Sequence, residues 1–297
     1  MSKVDVDFVY DGSRLQEIWD GSLQIPPDFC FSKLVKLTVG HCGFLSDAVL
    51  PFHLLPLLPK LETLKVRNCD YVKTIFDVSL DIFDFYFSKL ATLIVEACPS
   101  LSDAVLPFYL LPLLPKLETL EVRNCDSVKS IFDVKCTTKH TLITFPLKKL
   151  VLCKLPNLET IWNEDPHGIL CMQLLQKVHV QVCKSLPSVF PAYVAKDLVK
   201  LEDLVVEECE RLMVIVAEDN ITDPRGTNVE ITFPCPCVRS LKLRDLPKFK
   251  YFYYSPLKSD IYKNMESYPE DQLDTEKVLL FYHFLLFTIR DYFFLLY

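Results

Sequence analysis

At 297 residues and 50% hydrophobic content the chain can bury a large core, which excludes disorder for most of its length. It has six glycines where average usage gives roughly twenty, and neither G-x-x-x-x-G-K-S/T nor G-x-G-x-x-G occurs, so a glycine-rich phosphate loop is excluded. A formal charge of −7 and a pI near 5.4 disfavour a nucleic-acid surface, which needs a basic field to release phosphate counterions.

The amino terminus, MSKVDVDFVYDGSRL, carries acidic residues where a secretory signal needs a continuous apolar run, so the chain reads as unexported and cytoplasmic. In a reducing compartment its twelve cysteines do not predict a disulfide framework. LQEIWDG at 15–21 matches the second half of the unit seen in NLETIW with no strand unit of the right form before it, so the chain is expected to begin in the middle of a repeat. Residues 31–78 then align without a gap on 87–134, with 37 identities in 48 positions.

Within each copy a shorter unit, L-x-x-L-x-V-x-x-C, occurs twice. It ends at Cys42, Cys69, Cys98 and Cys125 and continues in weaker form to Leu155, Cys183, Cys209 and Leu246, eight units at intervals of 26 to 37 residues. In TLKVR at 63–67 apolar and polar residues alternate with period two, which predicts a strand with Leu64 and Val66 inward and Thr63, Lys65 and Arg67 outward. One such strand cannot bury its apolar face alone, but successive coils stacked on each other can. The terminal Cys is small, apolar and a weak donor, suited to the buried turn that leaves the strand.

A second apolar hook follows each Cys, as in SVKSIF at 127–132 and NLETIW at 157–162, and closes the core. In the return path LSDAVLPFHLLPLLPKL, Ser46 or Asp47 could cap a helical turn, while Pro51, Pro56 and Pro59 forbid a long helix, so short helical or 3₁₀ pieces are expected. This is the leucine-rich-repeat signature. It predicts an α/β solenoid, or horseshoe, with a parallel β-sheet on its concave face and an irregular, short-helical convex side over residues 1–254. Residues 255–297 form a separate charged linker and apolar tail. The tail's first apolar run, Val278 to Ile289, is shorter than the roughly 20 residues a bilayer requires, so no membrane span is expected.

No catalytic constellation emerges. The six histidines form no H-E-x-x-H, G-x-S-x-G is absent, and Cys235-Pro236-Cys237 lacks the second pair a metal site needs. The chain is therefore read as a non-enzyme without metal or cofactor. The outward strand positions are the functional candidates: Lys36, Thr38, Thr63, Lys65, Arg67, Thr92, Ile94, Glu96, Thr119, Glu121, Arg123, Lys149, Lys177, His179, Gln181, Asp203, Glu207, Lys242 and Arg244, interspersed with Gly40, Val151, Cys153, Val205 and Ser240. That number of side chains matches the roughly 20–30 residues one partner brings to a standard protein interface. Between the two long copies, four of six outward positions differ (36/92, 38/94, 40/96 and 65/121), against seven of the other 42. The scaffold stayed put while the exposed strand residues changed.

LPNLETIWNEDPHGIL, LQKVHVQVCKSLPSVFPAYVAKDLVKLEDLVVEECERLMVIVAED and ITFPCPCVRSLKLRDLPKFKYFYY resemble the leucine-rich-repeat region of plant intracellular immune receptors of the coiled-coil, nucleotide-binding, leucine-rich-repeat class, over about residues 12–254. The resemblance implies a cytoplasmic disease-resistance role. In that role the repeats sense a pathogen effector or a modified host protein and, in the family, also contact the receptor's own nucleotide-binding domain. The chain carries neither the coiled-coil nor the nucleotide-binding domain. A fragment or truncated paralogue is therefore expected, its first repeat strand an uncapped edge prone to association. A general adaptor or ubiquitin-ligase substrate scaffold on the same repeat is the alternative.

Overall fold

The protein's structure, a computed structural model, describes residues 4–9, 31, 33–77, 89–101, 104–133, 143–163, 170–217 and 237–253. Its principal element is a nine-stranded sheet. In chain order the strands are β1 (Val4–Val9), β2 (Leu34–Gly40), β3 (Thr63–Arg67), β4 (Thr92–Glu96), β5 (Thr119–Arg123), β6 (Lys149–Cys153), β7 (Lys177–Gln181), β8 (Asp203–Glu207) and β9 (Ser240–Arg244). Spatial order equals chain order and every pairing is parallel. From β2 to β9 equivalent strand positions recur every 26 to 37 residues, long enough for the crossover that each parallel pairing in a solenoid requires.

The eight expected strands are all present, and from β2 to β9 the register runs without a slip. Leu64, Val66, Leu93, Val95, Leu120 and Val122 are fully buried, while their odd-numbered neighbours on β3 and β5, and the even-numbered ones on β4, face away half-exposed. Expectation and structure differ at the start. β1 pairs with β2 along Val4–Val9, with one irregularity between Val4 and Asp5, so a strand does precede the first recognised unit and the edge of the sheet lies at β1 instead of β2. VDVDFV keeps the period-two alternation of a strand but lacks the leading leucines that identify the repeat. LQEIWDG, the apolar tail and the rest of 254–297 lie outside the described residues.

The hooks form strands of their own on the opposite side of the core. Ala104–Pro107, Ser130–Asp133 and Thr160–Trp162 make one parallel trio, and Ser188–Pro191, Val214–Ala217 and Tyr251–Tyr253 another. Ala48–Leu50 pairs with Thr74–Phe76, and Ile143–Thr144 with Leu170–Cys171. Between them and the main sheet runs one continuous apolar cluster from Leu34 to Leu246. Phe132, Trp162 and Phe190 occupy the same place in three successive coils, with ring centroids 5.7 and 5.9 Å apart.

Among the described residues the return path is 3₁₀ at Phe52–Leu57 and Phe108–Leu113, each with a proline inside, and α-helical only at Ala192–Lys196. The first 3₁₀ turn starts from Pro51 and has no side-chain cap. Ser46 and Asp47 therefore do not cap a helix. Residues 48–50 that follow them are a strand, and Asp47 uses its carbonyl to accept the amides of Lys73 and Thr74 at 3.1 and 2.8 Å. The nine described cysteines are all free. Each repeat thiol donates to the carbonyl two residues back, Cys42 to Gly40 at 3.3 Å and Cys125 to Arg123 at 3.2 Å. Neighbouring sulfurs also interact along the stack. The neighbouring sulfur, together with burial, pushes Cys42, Cys98 and Cys183 up, while the same pairing holds Cys69, Cys125 and Cys209 lower.

Candidate protein-binding face

Because the register does not slip, the outward positions of β2 to β9 fall into three straight rows. The first is Lys36, Thr63, Thr92, Thr119, Lys149, Lys177, Asp203 and Ser240. The middle row is Thr38, Lys65, Ile94, Glu121, Val151, His179, Val205 and Lys242. The third is Gly40, Arg67, Glu96, Arg123, Cys153, Gln181, Glu207 and Arg244. All nineteen sequence-nominated residues share this one face. At about 4.8 Å per strand the face is roughly 35 Å long between β2 and β9.

Sharing the face does not make every residue accessible. Thr38 is 2% exposed and Glu207 5% exposed, and Val151 and Cys153 are also buried. Thr38 is a short side chain flanked by strands on both sides, paired with Asp7 on β1 and Lys65 on β3. Glu207 lies beneath Lys242 and Arg244, at 2.7 and 3.2 Å. These residues shape the floor of the face and do not offer themselves to a partner.

The charged side chains are organised into ion pairs, most of them across the rungs. Lys65 reaches Glu96 at 3.7 Å, Lys177 reaches Asp203 at 2.9 Å, and Glu121 receives both Lys149 at 2.7 Å and Arg123 at 3.1 Å. Burial pulls the Glu121 carboxyl upward, but the hydrogen bonds from Lys149 and Arg123 outweigh it and leave it below the usual carboxylate range. The hydrogen bond from Lys242 does the same for Glu207 against the opposing effect of burial, helped by the Arg244 charge. His179 is held low, by burial first and then by the charges of Arg123, Lys242 and Lys149 against the opposing Glu207. Its Nε2 has no hydrogen-bond partner among the described residues. His179 is therefore a neutral ring between Val151 and Val205.

The two duplicated copies show how one exchange alters a conserved neighbour. Arg67 and Arg123 are the same residue at the same position. In the first copy Arg67 lies over Gly40, its Cγ 3.1 Å from where a Cβ there would stand. In the second, position 96 is Glu, and Arg123 turns instead to Glu121, the residue that replaced Lys65.

A fourth row was not foreseen from sequence. The residue after each strand, one of His41, Asn68, Ala97, Asn124, Lys154, Val182, Glu208 and Asp245, has φ between 51° and 56°. Through the seven coils from His41 to Glu208, the amide of this residue donates to the carbonyl at the end of the next strand, from His41 to Arg67 at 3.1 Å through Glu208 to Arg244 at 3.0 Å. The backbone sets the left-handed turn for the ladder, and the side chains extend the face at its rim. Asn68 contacts His41 Nε2 at 3.1 Å, and Gln181 donates to Glu208 at 3.1 Å. Its sequence signal is only its place before the Cys.

Among the described residues no group of three or more His, Cys, Asp or Glu side chains is placed to hold a metal, and no helix is long and apolar enough to cross a membrane. A leucine-rich-repeat family described as plant disease resistance protein RPS2-like matches residues 3–82 and 78–210. A 107-residue stretch is 30% identical to the Arabidopsis thaliana protein At4g19050, which is named for disease resistance. That stretch is 34% of this chain and 8% of the relative. No solved structure matches.

Proposed function

The chain belongs to the leucine-rich-repeat family of RPS2-like plant disease resistance proteins, and we propose that within such a system it recognises another protein through the outward face of its main sheet. The repeat domain of this family is a recognition module, and the observation that carries the reading is the face itself. It comprises eight strands in unbroken register, presenting three rows of side chains and a rim. Its scale suits a protein partner better than a metabolite. The partner is a pathogen effector or a host protein altered by one, and recognition takes place in the cytoplasm. Residues 1–254 act as one repeat domain, with 255–297 outside it. Catalysis forms no part of this reading.

The test compares the full chain with a Lys65→Glu/Arg67→Glu variant, tagged and recovered from plant tissue with and without pathogen challenge. A Lys184→Glu/Lys73→Glu variant, altered off the strands, is the control. The expected result is a challenge-dependent partner that is lost with the first variant and kept with the second, while both melt within about 1 kcal/mol of the parent. A partner retained by the face variant and lost by the control would place recognition elsewhere.

A further inference from the structure

The charges on the face are not evenly mixed. Over β3 to β7 and the rim beside them stand Lys65, Arg67, Arg123, Lys149, Lys154 and Lys177 against Glu96 and Glu121. Over β8 and β9 the balance reverses, with Asp203, Glu207, Glu208 and Asp245 against Lys242 and Arg244. Just before the strands, Lys148 and Glu118 neutralise each other at 2.8 Å and Glu62 adds one acid, which leaves the first stretch basic. This basic stretch sits in a chain whose formal charge is −7.

Its centre is the pair Lys149 and Lys177, directly opposite each other on adjacent parallel strands. Like charges in that position repel. Each turns away from the other, Lys149 toward Glu121 at 2.7 Å and Lys177 toward Asp203 at 2.9 Å. Glu121 is already shared with Arg123, so two cations there have one carboxylate between them. Both lysines remain open, with 44% and 55% of their side chains exposed. Beside them the middle row holds uncharged, half-buried His179 next to the buried floor at Val151. Lys154 is exposed at the rim, with no carboxylate partner among the described residues.

Taking the recognition reading of this face as given, we propose that the partner presents an acidic segment to β3–β7. Its carboxylates enter between Lys149 and Lys177 and against Arg123, and an apolar side chain lies beside His179. Discrete carboxylates fit better than a continuous polyanion, because Glu96 and Glu121 are interleaved with the cations and repel an unbroken line of phosphates. The acidic group over β8–β9 turns the acidic segment away at that end and fixes its position along the sheet.

The probe is a fluorescein-labelled peptide, Ser-Asp-Ser-Glu-Leu-Glu-Ser-Asp-Ser, titrated into the full 297-residue chain at low salt. The controls are its Asn/Gln counterpart and an oligothymidylate of equal charge. Binding should be at least tenfold tighter for the acidic peptide than for either control. It should fall at least tenfold in Lys149→Gln/Lys177→Gln and stay unchanged in Lys184→Gln. Carbodiimide, which joins a carboxylate only to an amine it touches, should crosslink the peptide to Lys149 or Lys177. Equal binding of the amide peptide, equal binding of the oligonucleotide, an unaffected double variant or crosslinks confined to other lysines would each overturn the proposal. A natural partner lost on Lys65→Glu/Arg67→Glu while the peptides show no preference for acid would sink this inference and leave the recognition reading standing. A natural partner retained by Lys65→Glu/Arg67→Glu, together with peptides that show no preference for acid, would sink the two together.

Discussion

At the scale of single residues, the rim turn is the position where side chain and backbone conflict most. Val182 has φ 55°, a conformation that a β-branched side chain resists, yet its amide must donate to the Glu207 carbonyl at 3.0 Å. The homologous places hold Asn68 and Asn124, a residue type that tolerates this region. Val182→Asn should therefore stabilise the protein by about 1 kcal/mol, read as a melting temperature higher by roughly 2–4 °C. Titration gives a second residue-scale expectation. His179 has its folded value held below the ordinary 6.5, so the unfolded chain takes up its proton first and stability falls as pH drops below 6.5. Glu121 and Glu207 are held below 4.5, so their contribution is present above that value and is lost as pH falls through their lowered folded values. Denaturant melts from pH 7.5 to 5 should show a decline that His179→Asn flattens, and the carboxylate loss should appear only at lower pH. An unchanged slope in the variant would mean that His179 is not shielded as described.

At the scale of elements, the coils are held to one another by strand ladders on both sides of the core and by aromatic rings that stack across rungs. Phe132 and Trp162 lie 5.7 Å apart and nearly parallel, and Trp162 meets Phe190 at 5.9 Å. Trp162→Ala should cost about 3–5 kcal/mol, since it opens a cavity in three coils at once. Combined with Phe132→Ala the loss should be non-additive, with a coupling of about 0.5–1.5 kcal/mol, because each variant already removes the contact between them. Strict additivity in urea melts would mean that the two rings do not share one packing unit. Surface ion pairs such as Lys73–Asp47 at 3.0 Å and Lys184–Glu210 at 2.7 Å also link coils, but exposed pairs of this kind contribute little.

At the scale of the whole molecule, burial is uneven along the stack. Leu120 on β5 is fully buried with a rung on either side, whereas Leu241, its counterpart on β9, is only partly buried. Leu120→Ala should cost about 2–5 kcal/mol and Leu241→Ala about half as much or less, since a partly buried side chain has less contact to lose. Equal losses would show that β9 is covered as thoroughly as the middle of the stack.

The sequence by itself determined the repeat, the parallel sheet and the side of each strand that meets solvent, because one letter in two of TLKVR is apolar and the same pattern returns every 26 to 37 residues. β1 escaped notice because it has the alternation without the leucines, and the rim because its eight residues share a backbone angle and no side-chain character. Tertiary structure alone decided which outward residues are reachable and what their charges do. Thr38 is buried between flanking strands and Glu207 beneath Lys242 and Arg244 of the next strand, and two identical arginines, Arg67 and Arg123, make different contacts because the strands beside them differ. Local periodicity encodes direction. Exposure and pairing depend on the adjacent rung, which no local pattern specifies.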